Sequence, residues 1–397
     1  MLSQFLEKQS SYHQLTKDIY LCIYNHGPIS RAEVITQTQI NRGKVDRSLK
    51  ELLDKGYIRI VGQGNSGGGR PPTLYQINPK SSYIIGIQIT RYDIKIILFD
   101  LLFEKLNQKI IRMTVKHTPQ VVIEEIKHTI HQFMNAEHFT INELLGIGIG
   151  AIGPLDREKG LILSSEPFLT HGWEDVAIVD SIRKAFPVLV KLDNGANTGV
   201  LAEYQRKPAY RNILNVIVGW TWGCGVILDG KLVNVESSDV SGYGHMVINM
   251  NGKDCFCGKK GCMVAYTSLY AILDKIKDRC PHFFQEKLAD RTPVEQIDNL
   301  LTEKDTDIRE IIYESAKYLG IGIANLATVF NSELVIINGP LISNYPGYYE
   351  EIVHHISLNK TLREKTQFSK GDFNGDAMVV GAAIDVFHHA CKGLSTT

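Results

Sequence analysis

The chain has 397 residues, of which 44% are hydrophobic and 22% are charged, and its 43 Lys and Arg balance 43 Asp and Glu. This composition excludes an intrinsically disordered chain, and the length predicts two or three domains. No apolar run approaches the roughly 20 residues of a membrane span, and no basic segment followed by an apolar one opens the chain, so a cytoplasmic protein with no membrane partner is expected.

The charge is unevenly distributed along the chain. Residues 1–80 contain 11 Lys and Arg against 6 Asp and Glu, so this segment carries +5 and the remainder carries −5. A basic segment on an otherwise mildly acidic protein is typical of a separate nucleic-acid-binding module.

Three short helices are predicted in the first segment. Apolar residues recur at helical spacing between residues 12 and 26, and Gly27-Pro28 ends that run. Ser30 and Glu33 then match a capping box at the start of a second helix. A third helix follows after a tight turn, which is the arrangement of a helix-turn-helix.

The third helix carries candidate DNA contacts. Asn41 is its expected N-cap, and an apolar stripe at residues 45, 49, 52 and 53 predicts its buried face. Arg42, Lys44 and Arg47 fall on or near the opposite face. With Asn41 they are candidates for contacts in the major groove, and the alternative for each is a solvated position without a ligand.

Two predicted strands complete a winged version of this module. They cover residues 57–61 and 73–77, and the loop GQGNSGGGRPP connects them. Its Gly-Arg-Pro end resembles hooks that insert an arginine, here Arg70, into a narrow A·T-rich minor groove. The segment therefore predicts a module that binds double-stranded DNA.

After residue 79 the pattern changes to apolar strands that alternate with helices. Strands are predicted at 83–89, 94–99, 145–150, 188–192, 213–219, 226–228 and 334–338, and helices at 121–134 and 316–330. Two such halves predict an α/β protein with a cleft between two lobes.

One cluster of residues predicts a metal site. His245, Cys255, Cys257 and Cys262 have the spacing His-x9-Cys-x-Cys-x4-Cys. Three thiolates and one imidazole form a complete tetrahedral shell for Zn2+, which leaves no position for a catalytic water, so the metal is expected to be structural. The alternative is a loop with free cysteines.

Together these motifs resemble the ROK family (repressors, open reading frames and kinases), in its repressor branch with the xylose and N-acetylglucosamine repressors. The resemblance rests on five segments of this sequence: HQLTKDIYLCIYNHGPISRAEV, GGGRPPTLYQINP, LDNGAN, GHM with CFCGKKGC, and GDAMVVGAAIDVF. It implies a winged helix-turn-helix at 1–79 and two actin-like (ribonuclease H-like) lobes. The first lobe would cover 80–195, completed by a helix at about 376–391, and the second would cover 196–375 with the zinc knuckle.

The resemblance also implies partners. Members of the repressor branch bind A·T-rich operators of two-fold symmetry as homodimers or tetramers, and a small-molecule inducer, sugar-like or of another kind, releases them. A palindromic operator is therefore the expected DNA target.

This chain departs from the pattern of the family's kinases. Their two phosphate-binding loops correspond to residues 88–93 and 219–225, which carry other residues here, and their catalytic Asp corresponds to Gly195. Because the resemblance assigns deprotonation of the sugar hydroxyl to that Asp, no enzyme activity is expected.

The sugar site that the resemblance implies is also incomplete. Two Glu positions of the family hold Gly242 and Val264 here, whereas Asn194 and His245 remain as candidate effector ligands. The loss of carboxylates that pair with sugar hydroxyls predicts a different ligand or none. Three aromatic residues nearby are candidates for stacking surface or, as the commoner alternative, for core: Trp220, Trp222 and Tyr243.

Three hypotheses remain at this point. The first is a carbohydrate-related repressor with an inactive kinase-like effector domain. The second is a divergent sugar kinase that carries a DNA-binding domain. The third is a module whose lobes dock a partner protein without sensing a small molecule.

Overall fold

The computed structural model describes residues 2–7, 10–65, 71–164, 168–233, 240–358 and 365–392. Helices within these residues are α1 (Leu2–Glu7), α2 (Ser11–His26), α3 (Arg31–Thr38), α4 (Arg42–Asp54), α5 (Pro119–Ala136), α6 (Ile178–Ala185), α7 (Gly195–Arg206), α8 (Val264–Thr267), α9 (Leu269–Arg279), α10 (Pro281–Lys287), α11 (Pro293–Thr302), α12 (Thr306–Val329), α13 (Pro340–Asn344), α14 (Tyr348–Ser357) and α15 (Ala377–Lys392).

The strands are numbered in the same way. They are β1 (Ile29–Ser30), β2 (Ile58–Gln63), β3 (Thr73–Ile77), β4 (Tyr83–Ile89), β5 (Asp93–Phe99), β6 (Lys105–Arg112), β7 (Leu144–Ala151), β8 (Leu155–Asp156), β9 (Leu161–Ile162), β10 (Leu189–Asn194), β11 (Ile213–Val218), β12 (Trp222–Leu228), β13 (Lys231–Leu232), β14 (Leu334–Asn338) and β15 (Gln367–Ser369).

The N-terminal unit is a winged helix-turn-helix. Helices α2, α3 and α4 occupy the three predicted segments, and the capping box of Ser30 and Glu33 is present with both of its hydrogen bonds. Gly56, just beyond α4, has φ +69°, the left-handed conformation expected there. Strands β2 and β3 pair antiparallel, and β1 adds to β3.

Two elements of this unit were not predicted. Helix α1 is too short to show helical periodicity, yet its residues Leu2, Phe5 and Leu6 are buried. Strand β1 has only two residues and is recognisable only by its pairing with β3. Both therefore depend on tertiary contacts, not on a local sequence signal.

The first lobe contains a five-stranded sheet in the order β10-β7-β4-β5-β6. Strands β10, β7 and β4 are parallel, whereas β4, β5 and β6 form an antiparallel meander. The central strands β4 and β7 are buried along their full length, which explains their continuous apolar sequences. Helix α15 covers this sheet at close range, because a Cβ at Gly148 would overlap the carbonyl oxygen of Ala382.

The second lobe also contains a five-stranded sheet, with the strand order β13-β12-β11-β14-β15. Its core is built mainly on α12, which begins at Thr306 and not at the predicted 316. Asp305 caps this helix, and its side chain accepts hydrogen bonds from the amides of Asp307 and Ile308. Ile308, Ile311 and Ile312 continue the helical spacing of apolar residues before residue 316, so the sequence does contain a signal for the earlier start.

Helices α7 and α15 also contact the N-terminal winged helix-turn-helix. Apolar residues of α1 and α2 share one core with Phe387 and Cys391 of α15. At the end of α7, Gln205 Nε2 donates to the hydroxyl of Tyr24 in α2 at 3.1 Å. The ring of Tyr24 in turn lies 4.4 Å from that of Phe387. The winged helix is thus packed against the first lobe instead of being connected by a free linker.

Within the described residues, no helix combines the length and the apolar character that crossing a bilayer requires.

Candidate functional site

Helix α4 presents a basic face to solvent. Its buried side carries Val45, Leu49 and Leu52, while Arg42, Lys44 and Arg47 are exposed, as the sequence predicted. The side chain of Asn41 accepts a hydrogen bond from the Lys44 amide at 3.1 Å, so its oxygen is engaged in capping the helix.

Buried polar contacts fix the orientation of α4. The hydroxyls of Thr16 in α2 and Ser48 in α4 lie 3.0 Å apart, and both residues are fully buried. The hydroxyl of Tyr12 donates to Glu51 at 3.0 Å. Because these contacts hold the opposite side of α4 against α2, the basic face has a defined direction.

Two further cations belong to this surface and were missed. Arg31, at the start of α3, donates to Asp46 of α4 at 3.2 Å, and Lys50 is exposed on α4. Lys50 follows Arg47 by three residues, a spacing that places both on neighbouring positions of one helix face. Arg70 of the predicted hook lies outside the described residues.

The four predicted metal ligands are brought together. The ligand atoms of His245, Cys255, Cys257 and Cys262 all lie within 4.8 Å of one another. The His245 Nδ1 to Cys255 Sγ distance is 3.4 Å, and Cys257 Sγ lies 3.7 Å from Cys262 Sγ. Bonds of about 2.3 Å to a tetrahedral zinc require sulfur atoms to be separated by a little under 4 Å, so the donor set fits that ion.

The backbone around the cysteines makes this approach possible. Gly258 and Gly261 have φ +84° and +72°, a region that disfavours residues with a Cβ. A Cβ at Gly261 would also overlap the carbonyl oxygen of Asn249. The two glycines therefore allow the tight turn that returns Cys262 towards Cys257.

The thiols of the cluster have strongly perturbed acidities. Burial and the neighbouring thiols raise the pKa of Cys262 to about 12. Burial opposes ionisation of Cys257 as well, but the Lys259 amide and the neighbouring thiols lower its pKa overall. Thiolates packed this closely repel one another, and a bound cation would relieve that repulsion.

The first loop that faces the cleft comprises residues 88–93. Three of its backbone amides donate hydrogen bonds to acceptors within the same loop. The amides of Tyr92 and Asp93 both donate to the hydroxyl of Thr90, at 3.2 and 3.1 Å. The Thr90 amide donates to the carbonyl of Asp93 at 2.9 Å. A phosphate-binding loop needs amides that point at the ligand, and these amides are already occupied.

The second loop, residues 219–225, has one amide engaged in a similar way and contacts the first loop. The Gly219 amide donates to the carbonyl of Thr221 at 2.9 Å. The guanidinium of Arg91, from the first loop, lies 4.0 Å from the ring centroid of Trp220, and its Nη1 donates to the carbonyl of Phe168 at 2.8 Å. A cation–π contact between side chains thus joins the two loops across the cleft.

The side chain of Met378 occupies the space beside Gly195. A Cβ at Gly195 would lie 2.6 Å from the sulfur of Met378 and still closer to its methyl group. No side chain fits at position 195 unless Met378 moves. The local chemistry is therefore that of a thioether, which neither accepts nor delivers a proton.

The two candidate effector ligands have different surroundings. Asn194 lines a cavity of about 610 Å³ between the lobes, where its side chain also caps α7 by accepting from the Ala196 amide at 2.9 Å. His245 does not line that cavity and lies in the cysteine cluster instead. Of the three aromatic candidates, Trp220 and Trp222 line the cavity, whereas Tyr243 packs against Phe330.

A buried carboxylate beside Asn194 was not predicted. Asp193 accepts from the side chain of Asn197 at 3.0 Å and lies 3.4 Å from Arg157. Burial and the nearby carboxylate of Asp385 raise its pKa. Its contacts hold the start of α7 in place, and the LDNGAN segment was the available signal.

Comparisons with known proteins identify the family to which this architecture is similar. A family model described as the ROK family matches residues 84–388. The xylose repressor of Bacillus subtilis (strain 168) is 28% identical over 330 residues, covering 82% of this chain and 81% of that protein. A xylose repressor of Caldicellulosiruptor bescii is 30% identical over 316 residues, covering 78% of each.

Solved structures share the fold. A ROK family transcriptional regulator, described as a homologue of the E. coli MLC protein, has a TM-score of 0.77 at 22% identity, covering 97% of this chain and 98% of that one. A ROK hexokinase from Thermus thermophilus has a TM-score of 0.64 at 22% identity. The match covers 77% of this chain and 98% of the hexokinase chain.

Proposed function

This chain belongs to the ROK family, and from that premise we propose that it is a DNA-binding transcriptional repressor of carbohydrate-related genes. Its relatives named above are xylose repressors that match it over most of both lengths. The observation that carries the proposal is the basic face of α4, held in a defined direction on a winged helix-turn-helix.

In this proposal Arg42, Lys44 and Arg47 enter the major groove, with Asn41 at the start of the helix. Arg70 inserts into an adjacent A·T-rich minor groove. A homodimer or tetramer presents two such units to a palindromic operator. The proposed domains are 1–79, 80–195 with the C-terminal helix, and 196–375.

We assign the cysteine cluster to a structural zinc ion. Four protein ligands complete its shell, so the metal supplies no reactive water and instead stabilises the segment between β13 and α8. His245 is then committed to the metal, and any contact of this residue with an effector would use its other ring nitrogen.

We propose that the lobes sense an effector and have no kinase activity. The engaged amides of residues 90, 92, 93 and 219 and the thioether beside Gly195 support this, because phosphoryl transfer depends on charge stabilisation at those places. A divergent kinase would show ATP-dependent phosphorylation of a sugar. A docking module would show no metabolite that changes DNA affinity.

The direct test is selection of genomic DNA fragments on the purified protein at physiological salt. We expect enrichment of one A·T-rich palindrome, and the adjacent genes would nominate effectors. Arg47→Ala should weaken binding to that site by about 5- to 150-fold, the loss of about 1–3 kcal/mol expected for a base contact.

The matched control is Arg291→Ala, which removes an exposed arginine far along the chain from α4. It should leave the affinity unchanged at the same salt concentration. If the native protein enriches no site, with or without the metabolites tested, the repressor proposal fails.

A further inference from the structure

The exposed face of α4 carries a carboxylate among its cations. Arg42 and Lys50 lie one helical turn before and after Asp46, and Arg47 follows it directly. The side chain of Asp46 is 43% exposed. DNA is a polyanion, so a carboxylate on a surface that approaches it repels the phosphates of every sequence. A negative charge at this place therefore weakens binding to DNA in general.

The stability of the fold does not account for this charge. Asp46 Oδ1 lies 3.2 Å from Arg31 Nη1, and Asp46 Oδ2 lies 3.8 Å from Arg42 Nε. The side chains of Arg31 and Arg42 are 46% and 72% exposed. Ion pairs between exposed side chains contribute little to stability, because water screens them and both side chains must be ordered. The carboxylate thus adds little stability at a position where it opposes DNA binding.

The two ion pairs do give the carboxylate a preferred direction. Arg31 is the first residue of α3 and Arg42 is the first residue of α4, so Asp46 is paired with the start of both helices. A carboxylate offers about four acceptor positions. Oxygens that pair with these arginines can therefore accept from a further donor outside the protein.

Space for such a donor exists beside Asp46. Gly43 precedes it by three residues, a spacing that places both on neighbouring positions of one helix face. A Cβ added to Gly43 would meet no atom of the described residues within 4 Å, apart from neighbours in its own helix. A base edge can consequently approach α4 closely at this point.

The chemistry of a carboxylate restricts which base it can recognise. The first residues of a recognition helix contact base edges in the major groove, and Asp46 begins the second turn of α4. A carboxylate accepts hydrogen bonds and donates none. Cytosine offers an N4 amino donor in that groove, whereas guanine offers the acceptors N7 and O6, and thymine offers the acceptor O4. Adenine has an N6 amino group too, but its neighbouring N7 acceptor repels a carboxylate.

We propose that Asp46 is a specificity-determining residue that selects cytosine at one position of each half of the operator, by accepting a hydrogen bond from the cytosine N4 amino group. Its repulsion of phosphate acts on every sequence, whereas its hydrogen bond is gained only on the correct one. Asp46 therefore lowers the affinity for other DNA relative to the operator. This inference rests on the proposed function, because it requires α4 to enter the major groove.

The test measures binding of the full-length protein to variants of the enriched operator, each with one base pair replaced, at one salt concentration. We expect the native protein to prefer cytosine at one position of each half-site by about 5- to 150-fold. Asp46→Ala should lose this preference and keep the others. Asp54→Ala is the matched control, because it removes the same charge from an exposed position at the other end of α4. This control should keep all the native preferences.

A base analogue separates direct recognition from the orientation of a neighbouring arginine. Replacing that cytosine by 2-pyrimidinone removes its N4 amino group and leaves the paired guanine, which an arginine could still contact. The altered duplex should bind the native protein and Asp54→Ala at least about fivefold more weakly, and should bind Asp46→Ala without further loss. Equal weakening of all three proteins would overturn the proposal.

A duplex without the operator provides a second measurement. Asp46→Ala should bind it more tightly than the native protein does, because a charge that repels phosphate is gone. Unchanged affinity for this duplex would mean that the carboxylate does not face DNA.

The two proposals fail separately. If an operator is enriched and Asp46→Ala keeps the cytosine preference, the role of Asp46 is contradicted and the repressor proposal stands. If the native protein enriches no operator, both proposals fail.

Discussion

The cysteine cluster and the interlobe cleft differ in how their polar groups are arranged towards a ligand. The cluster keeps four ligand atoms within 4.8 Å of one another. In the cleft, by contrast, loop amides bond within their own loops and Met378 occupies the space beside Gly195. A bound metal would stabilise this lobe whatever the lobe binds, whereas a phosphate-binding loop matters only when a phosphate must be held.

The largest effect is expected in the cluster. Cys262→Ser should reduce bound zinc from about one per chain to near zero and lower the melting temperature, because three ligands cannot complete the shell. Metal analysis by mass spectrometry and a thermal melt measure both changes. Cys280→Ser is the control, since Cys280 lies outside the cluster. Retention of full zinc by Cys262→Ser would contradict the assignment.

Zinc affinity should depend steeply on pH. The pKa of Cys262 is raised to about 12, so its thiol is protonated at neutral pH without metal, and binding must displace that proton. Affinity should therefore fall as the pH falls, by at least about tenfold per pH unit. Competition with a chelator at pH 6.5, 7.5 and 8.5 measures this. A pH-independent affinity would argue against thiolate ligation.

In the cleft, introducing an aspartate at position 195 should not produce kinase activity. Gly195→Asp should lower the free energy of unfolding by about 1–3 kcal/mol, because the new side chain overlaps Met378. It should produce no ATP-dependent phosphorylation of glucose, since the loop amides remain occupied. Urea denaturation and a coupled kinase assay measure the two outcomes.

The same substitution in a Met378→Ala protein tests whether Met378 causes that destabilisation. In a Met378→Ala protein, the same Gly195→Asp change should cost less, because the obstructing thioether is gone. Detectable phosphorylation by either variant would show that the loops still bind ATP, and the contrast between cluster and cleft would then be wrong.

The smallest effect concerns the contact that joins the cleft loops. A double-mutant cycle of Arg91→Met and Trp220→Ala should give a coupling energy of about 0.5–1 kcal/mol, typical of a cation–π pair near the surface. Trp220→Phe keeps an aromatic face and should preserve part of the coupling energy. A coupling energy of zero would mean that the loops are held together by other contacts.

Local sequence signals determined much of this protein. The sequence predicted the caps at Ser30 and Asn41, the apolar strands β4 and β7, the exposed cations of α4 and the cluster of one histidine and three cysteines, and the structure contains each of these features. Their roles in binding DNA and metal stay predictions. Such features depend on residues that are close in sequence, so periodicity and spacing report them directly.

Tertiary structure alone decided the rest. Met378 beside Gly195, Arg91 upon Trp220 and Gln205 against Tyr24 join residues that are far apart in the chain, and no local pattern encodes such pairs. The placement of Asn194 in the cavity wall and of His245 in the cysteine cluster belongs to the same class. Because a cavity is the space left after all elements have packed, its shape and its ligand follow from the complete fold and not from any single motif.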